Sequence, residues 1–423
     1  MLDRTQAPEL KAVNKVVVHK AISEQLTNQV PIHIISSGTQ PIVRLELVFD
    51  AGQYFELKKG NSFMMAKMLL EGTKNYIAKE IAEIIATFGA HLDVNTGNDK
   101  FTLTLTVLNK YLNNVLPIVK DIIANSIFPQ KNFDNIKKIN FEQIKVSLEK
   151  TAYVAAGLFR KQLFSAESPY GYFLDTELIE SIELNDVVAN FNQTIKDIKY
   201  EIIVSGLIGE DELLCINKHL GAHDIKLPGS LSKQSFNYAT SPAKIRVEKA
   251  DNLQCSIRIG KKLFTKKHPD YMRFLVLNET LGGYFGSRLM KNIREEKGLT
   301  YGINSQVVTL INEGYFVIGA DVKKENVSLA TSEIYKEINI LRNQEINADE
   351  LETVKNYIIG GFLGSVTTPF QLADKFKGIH YHGMDYSFYD NYIENIRKVT
   401  AKDLIRLANT YLDVESMSEV VVG

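Results

Sequence analysis

The chain repeats itself once, and that duplication constrains its fold more than any other feature of the sequence. Residues 184–206 read LNDVVANFNQTIKDIKYEIIVSG, a helix pattern followed by a strand pattern. Residues 400–423 read TAKDLIRLANTYLDVESMSEVVVG, the same two elements in the same order. Asp186 matches Asp403 and Gly206 matches Gly423 at one common offset. The middles of the halves match as well. Ile77, Ile81, Ile84, Ile85 and Phe88 form an apolar stripe at helical spacing, and Gly89 stands where a helix stops. In KFTLTLTV, the residues Phe101, Leu103, Leu105 and Val107 alternate with threonines, the period of a half-buried strand. The second half answers with SRLMKNIREEK, a predicted helix stopped by Gly298, and then the strands TYGINSQVV and GYFVIGADV.

Long helices follow in each half, near 111–127 and 131–166 and again near 326–343 and 348–366. Strands grouped against their own set of helices argue an α+β class. The expectation is two homologous α+β halves, each a mostly antiparallel sheet packed against several helices. Residues 1–222 form the first unit and 247–423 the second. The stretch 223–246 is polar, holds Pro228, Gly229 and Pro242, and reads as the linker.

The chain has 423 residues, which suits two domains, and 45% hydrophobic with 23% charged residues is ordinary for a globular protein. A formal net charge of -1 gives no general attraction to nucleic acid or to an anionic membrane, so neither is expected as a partner. MLDRTQAPELKAVNK has no apolar core of a signal peptide, and no run approaches membrane-spanning length. The expected compartment is the cytoplasm, or the periplasm if a leader has been removed. Cys215 and Cys255 read as two buried thiols rather than a disulfide framework.

Three stretches carry a resemblance. They are LLEGTKNY (69–76), SPYGY (168–172) and, most specifically, HPDYMRFLVLNETLGGYFGSRLMKNIREEKGLTYGINS (268–305). With the duplicated halves, they resemble the pitrilysin/insulinase-type zinc peptidases (the inverzincins), in particular the bacterial members like mitochondrial processing peptidase. Active members of that family carry H-x-x-E-H on a helix. Its two histidines, four apart, hold zinc from one helix face, and its glutamate is the general base. Anchored on Gly72-Thr73-Lys74, the corresponding positions here are Phe63, Ala66 and Lys67. Between His33 and His219 the only histidine is His91, so no shift of register restores the motif. Glu142, near the place of the family's third ligand, then reads as a solvated helix carboxylate.

Other histidines fare little better as ligands. His219 and His223 stand four apart, but Gly221 lies between them and no third ligand is close in sequence. His380 and His382 flank Tyr381 and read as sharing one strand face, again two ligands without a third. His268, before Pro269, reads as a helix-start residue. No metal is therefore expected on this chain.

What the resemblance preserves is a pair, Arg294 and Tyr301, seven residues apart around Gly298. In the resembling family an Arg and a Tyr at this spacing reach the zinc site, where they would stabilise the charge that develops on the peptide carbonyl. LGGYFGS (281–287) adds Gly282 and Gly283, either as a turn between helices or as a place where substrate backbone comes close. The implied function is the non-zinc-binding subunit of a heterodimeric metalloendopeptidase. Its partner would be a homologous H-x-x-E-H subunit holding the zinc, and its substrates peptides. Alone, a homodimer is a form this reading allows. The competing expectation is a non-catalytic scaffold or peptide-binding protein of the same fold.

Overall fold

The computed structural model describes residues 13, 15–222, 225, 241–249 and 252–423. In the first half, β1 (Ile22–Gln25), β2 (Pro31–Ser36), β3 (Ile42–Phe49), β4 (His91–Thr96), β5 (Phe101–Leu108) and β6 (Glu201–Gly206) form one sheet, ordered β1-β2-β6-β3-β5-β4. All its pairings are antiparallel except β2 with β6. Its helices are α1 (Asn61–Met68), α2 (Ala78–Thr87), α3 (Leu112–Asn125), α4 (Gln130–Glu149), α5 (Thr151–Phe164), α6 (Thr176–Ser181), α7 (Leu184–Thr194) and α8 (Glu210–Leu220).

The second half repeats the plan. β7 (Lys244–Val247), β8 (Gln254–Leu263), β9 (Thr300–Thr309), β10 (Gly314–Lys323) and β11 (Ser418–Val422) are ordered β7-β11-β8-β10-β9, with only β7 and β11 parallel. Its helices are α9 (Tyr271–Asn278), α10 (Val327–Asn343), α11 (Ala348–Gly364), α12 (Pro369–His380), α13 (Ser387–Asp390), α14 (Tyr392–Arg397) and α15 (Ala401–Tyr411). With β1 set aside, the two strand orders coincide. β7 begins three residues inside the expected 223–246 linker, of which 223, 224 and 226–240 lie outside the described residues.

The matched glycines do matched work. Gly206 and Gly423 have φ of 133° and 146°. A Cβ on Gly206 would sit 2.0 Å from the Ile42 carbonyl oxygen, and one on Gly423 would sit 2.5 Å from that of Gln254. Each glycine lets the last strand of its half press against the start of a neighbouring strand, where any side chain would collide. Gly89 and Gly298 both take left-handed backbone after their helices, at φ 57° and 63°. One element departs from expectation: SRLMKNIREEK is helical, but Met290–Glu296 is π-wound, as is Glu279–Gly283 just before it. The Lys297 amide donates to the Asn292 carbonyl five residues back at 3.1 Å, so each turn takes up one extra residue.

Each sheet buries one face under its own helices. In β5, Phe101, Leu103, Leu105 and Val107 point into a core shared with Met64, Met65 and Met68 of α1 and with Val115, Leu116 and Val119 of α3. The opposite faces are covered by exchange, which the sequence reading did not anticipate. Helix α5 of the first half places Ala155, Phe159 and Leu163 against Val420 and Val422 of the second sheet. Helix α12 of the second half places Leu372, Ala373 and Phe376 against Ile35, Val48 and Ile203 of the first sheet. Polar contacts accompany the α12 contact: Lys377 Nζ donates to Glu46 Oε1 at 2.6 Å, and Arg44 Nη2 donates to the Phe370 carbonyl at 2.8 Å. At the hairpin tips, buried Asp99 accepts from the Tyr170 hydroxyl and from the Ile311 amide, and Asn312 donates to Tyr170 at 3.1 Å.

Because each half carries the other's cover, the two are expected to unfold together. Phe159→Ala removes a wholly buried ring and is expected to cost about 3–5 kcal/mol. Urea denaturation followed by circular dichroism should show one transition at a lowered midpoint, with sites in both halves becoming susceptible to limited proteolysis at the same urea concentration. Two separated transitions would contradict the coupling.

Candidate functional site

Helix α1 is where the resembling family holds its metal, and the fold keeps the helix while discarding the ligands. Asn61, Ser62, Met64, Met65 and Met68 are buried and fix its orientation. The remaining face presents Phe63, Ala66 and exposed Lys67, with Lys67 Nζ 5.5 Å from the centre of the Phe63 ring. An aromatic face, a methyl and an ammonium offer zinc no lone pair, and the local cation–π contact puts positive charge where a dication would stand. The residues present do not fit the metal. Glu142 is exposed on α4, in keeping with a solvated carboxylate.

The start of α1 is unusually built. Its capping position is Gly60 in left-handed backbone, which supplies no side chain. Glu56 does the capping instead: the Ser62 amide donates to Glu56 Oε2 at 3.0 Å, and the Tyr172 hydroxyl donates to Oε1. Burial drives the Glu56 pKa up to about 7, and the hydrogen bonds from Tyr172, Ser62 and Gly60 only partly offset it. So SPYGY, noted in the sequence as a family segment, serves two networks here. Its Tyr170 joins the hairpin tips and its Tyr172 supports the head of α1.

The second half contributes the family-like run from LGG to EEKGLTY. Most of it is spent on holding itself in place. Gly282 is buried, and a Cβ there would sit 2.8 Å from the Ser305 amide of β9; one on Gly283 would sit 2.5 Å from the Glu279 carboxyl carbon. Close packing against the β9 backbone therefore accounts for Gly282, whereas at Gly283 only the movable end of the Glu279 side chain stands in the way. Arg288 binds Glu350 of α11 through Nε and Nη2, both at 2.9 Å. Asn292 donates to Glu333 and Glu337 of α10 at 2.9 and 2.6 Å.

Arg294 and Tyr301 differ from these neighbours. Tyr301 is 93% exposed on β9, an edge strand. The Arg294 guanidinium lies 4.7 Å from the centre of the Phe285 ring, itself 63% exposed. A cavity of about 430 Å³ lies alongside over β8, β9 and β10, lined by Arg258, Met290, Asn304, Gln306 and Asp321. In the first half the matching edge is β4, with His91, Asp93 and Asn95 exposed.

The other histidines can now be placed. His219 sits in the last turn of α8 and shares a 2.9 Å hydrogen bond with Asn113; His223 lies outside the described residues. His380 and His382 do not lie on a strand: His380 ends α12 and His382 follows in a turn, because the capped helix beginning at Pro369 runs that far. Burial, with Lys266 and Lys267 nearby, holds the His382 pKa down at about 4. His268 precedes α9, where its Nδ1 accepts from the Asp270 amide at 3.1 Å. Cys255 is buried as expected, while Cys215 is only partly so, and both are free thiols. No described helix is long and apolar enough to cross a membrane.

With this geometry established, the chain can be set beside known proteins. Residues 32–167 match the family model described as Insulinase (Peptidase family M16), and residues 181–358 match Peptidase M16 inactive domain. A Helicobacter pylori protein named "Non-peptidase homolog YmxG" is 24% identical over 418 residues, covering 95% of this chain and 94% of its own length. A crystal structure of a protease from Helicobacter pylori superposes with a TM-score of 0.85 at 17% identity, covering 96% of this chain and all (100%) of that one. A crystal structure of a peptidase M16 inactive domain from Pseudomonas fluorescens gives 0.83 at 19% identity, covering 95% and 98%.

The Glu56 cap makes stability depend on pH. Its folded pKa, about 7, stands above the ordinary 4.5, so the folded state holds the proton more tightly. The associated stability is complete below pH 4.5 and is lost as pH rises through 7. A rise of that size corresponds to roughly 3 kcal/mol. Melting curves from pH 5 to 8 are expected to show the wild type losing stability relative to Glu56→Gln. A difference that does not change with pH would refute this assignment.

Proposed function

The chain belongs to the insulinase (M16) family of peptidases, and from that premise we propose that it is the zinc-free subunit of a two-chain metalloendopeptidase. It lends Arg294 and Tyr301 to a homologous partner that carries H-x-x-E-H. The observation that carries this reading is Tyr301, 93% exposed at the start of an edge strand, with Arg294 part-exposed against the Phe285 ring. Gly282, Arg288 and Asn292 of the same run are consumed in packing and hydrogen bonds, whereas folding makes no demand for so exposed a tyrosine. A tyrosine this exposed on an open strand edge is suited to contact something outside the chain.

The partner's zinc would supply the activated water. This chain's part is electrostatic. As the peptide carbonyl becomes tetrahedral, its oxygen gains negative charge. The Arg294 guanidinium, held over Phe285, and the Tyr301 hydroxyl donate hydrogen bonds to that oxygen or to the adjoining backbone. The substrate is an extended peptide, added as a further strand to an open sheet edge such as β4 or β9. The cavity beside β9 takes one of its side chains. The α1 residues that do not fit zinc support a chain that hydrolyses nothing alone. A scaffold or peptide-binding role is the second reading, and the non-peptidase name of the Helicobacter relative favours it.

The test is reconstitution. The purified chain alone should cleave no quenched fluorescent peptide, and mixing it with its H-x-x-E-H partner should produce turnover. Arg294→Ala is expected to lower kcat/KM of the mixture about 10²–10³-fold, the usual effect of losing one such donor. Tyr301→Phe should act in the same direction while complex formation, followed by gel filtration, is unchanged. If Arg294→Ala leaves the mixed activity intact, the donor role fails and the scaffold reading takes its place.

A further inference from the structure

Three residues distant in sequence converge on the face of the first sheet that α12 covers. His33 lies in β2, Glu201 opens β6 beside it, and His380 ends α12. His33 Nε2 is 3.4 Å from Glu201 Oε2, and His380 Nε2 is 2.7 Å from the same oxygen. The three ligand atoms all lie within 4.8 Å of one another. The His33 side chain is 9% exposed, and its Nδ1 is engaged at 2.8 Å by the hydroxyl of Ser23, its cross-strand partner on β1. Nε2 is thus the ring atom left facing Glu201, and it is buried without a well-formed hydrogen bond. Buried imidazole nitrogens are rarely left so.

We propose that His33, Glu201 and His380 bind one divalent transition-metal ion of the zinc class, which pins α12 of the second half to the sheet of the first. Two imidazoles and a carboxylate are a borderline-soft set suited to such ions. Ligands bound at about 2.0–2.1 Å in a tetrahedron stand roughly 3.3–3.4 Å apart. The His33–Glu201 separation already has that value. His380 completes the set by drawing back from Glu201 and closing on the His33 ring, which lies within 4.8 Å of it, a movement its position at the helix end and its 34% side-chain exposure allow. A water takes the fourth place on that exposed side. Ser23 orients His33 from behind, as an outer partner does for a ligating histidine. Lys100 is a nearby charge that opposes the ion. Its Nζ is 3.6 Å from Glu201 Oε1, the other carboxylate oxygen, and 2.8 Å from Asp50, which takes up its charge.

This site is separate from the family's peptidase centre. Ile32 and Ile34 of β2 point into the core with α1, and Ile35 points to α12, so alternation puts His33 on the α12 side with the sheet between it and α1. It does not depend on the proposed subunit role.

The full chain, stripped with chelator and dialysed, should be titrated with zinc chloride. One zinc per chain should be retained through gel filtration, measured by elemental analysis, and the Tm should rise. Cobalt(II) in place of zinc should give the visible absorption of a four-coordinate ion. His380→Gln and Glu201→Gln should lose the stoichiometric zinc, the Tm rise and the cobalt spectrum, while His219→Gln keeps all three. His380→Gln, at a partly exposed position, tests the idea even if Glu201→Gln folds poorly. No stoichiometric zinc on the wild type, or equal retention by His380→Gln, would overturn it.

Discussion

Each half of this protein leaves one face of its sheet uncovered, and the other half supplies the cover. Helix α5 seals the second sheet with Ala155, Phe159 and Leu163, and α12 seals the first with Leu372, Ala373 and Phe376. The exchange follows from the duplication, since α5 and α12 occupy matching places in the repeat. Apolar residues on both faces of a sheet cannot remain in water, so neither half is complete by itself. The hairpin-tip contacts of Asp99, Tyr170 and Asn312, and the ion pairs of Glu46 and Arg44, lie along the same junction.

That scaffold explains how α1 keeps its place without metal ligands. What positions α1 is the burial of Met64, Met65 and Met68 and the unusual cap from Glu56, none of which involves the face that a ligand set would occupy. Phe63 and Ala66 pack part-buried against the same core and Lys67 is exposed, so these three positions serve the fold without a metal. The second half shows the converse. Arg288 and Asn292 are tied to α11 and α10, whereas Tyr301 stands clear on the edge strand and Arg294 rests part-exposed against Phe285.

Much of this was legible in the sequence. The alternation in KFTLTLTV, the stripe ending at Phe88 and the paired stops at Gly89 and Gly298 are local signals, and each became the element it indicated. The missing ligands at Phe63, Ala66 and Lys67 were equally plain, because two histidines must come from one helix. What stayed hidden was non-local. No pattern within one half says that its helix will pack on the other sheet. Nothing in the spacing of His33, Glu201 and His380 links them until strand order and the end of α12 are known. The π winding of Met290–Glu296 also escaped, since one extra residue per turn barely alters an apolar pattern over seven residues.

The interlocked helices bear on how the two halves could move relative to each other. Swinging the halves apart like a clamshell would mean drawing two aromatic-bearing helices out of their beds and breaking the tip-to-tip latch in one motion. Severing the two halves would instead leave an apolar sheet face on each of them open to water, so the linked repeat behaves as a single folded body.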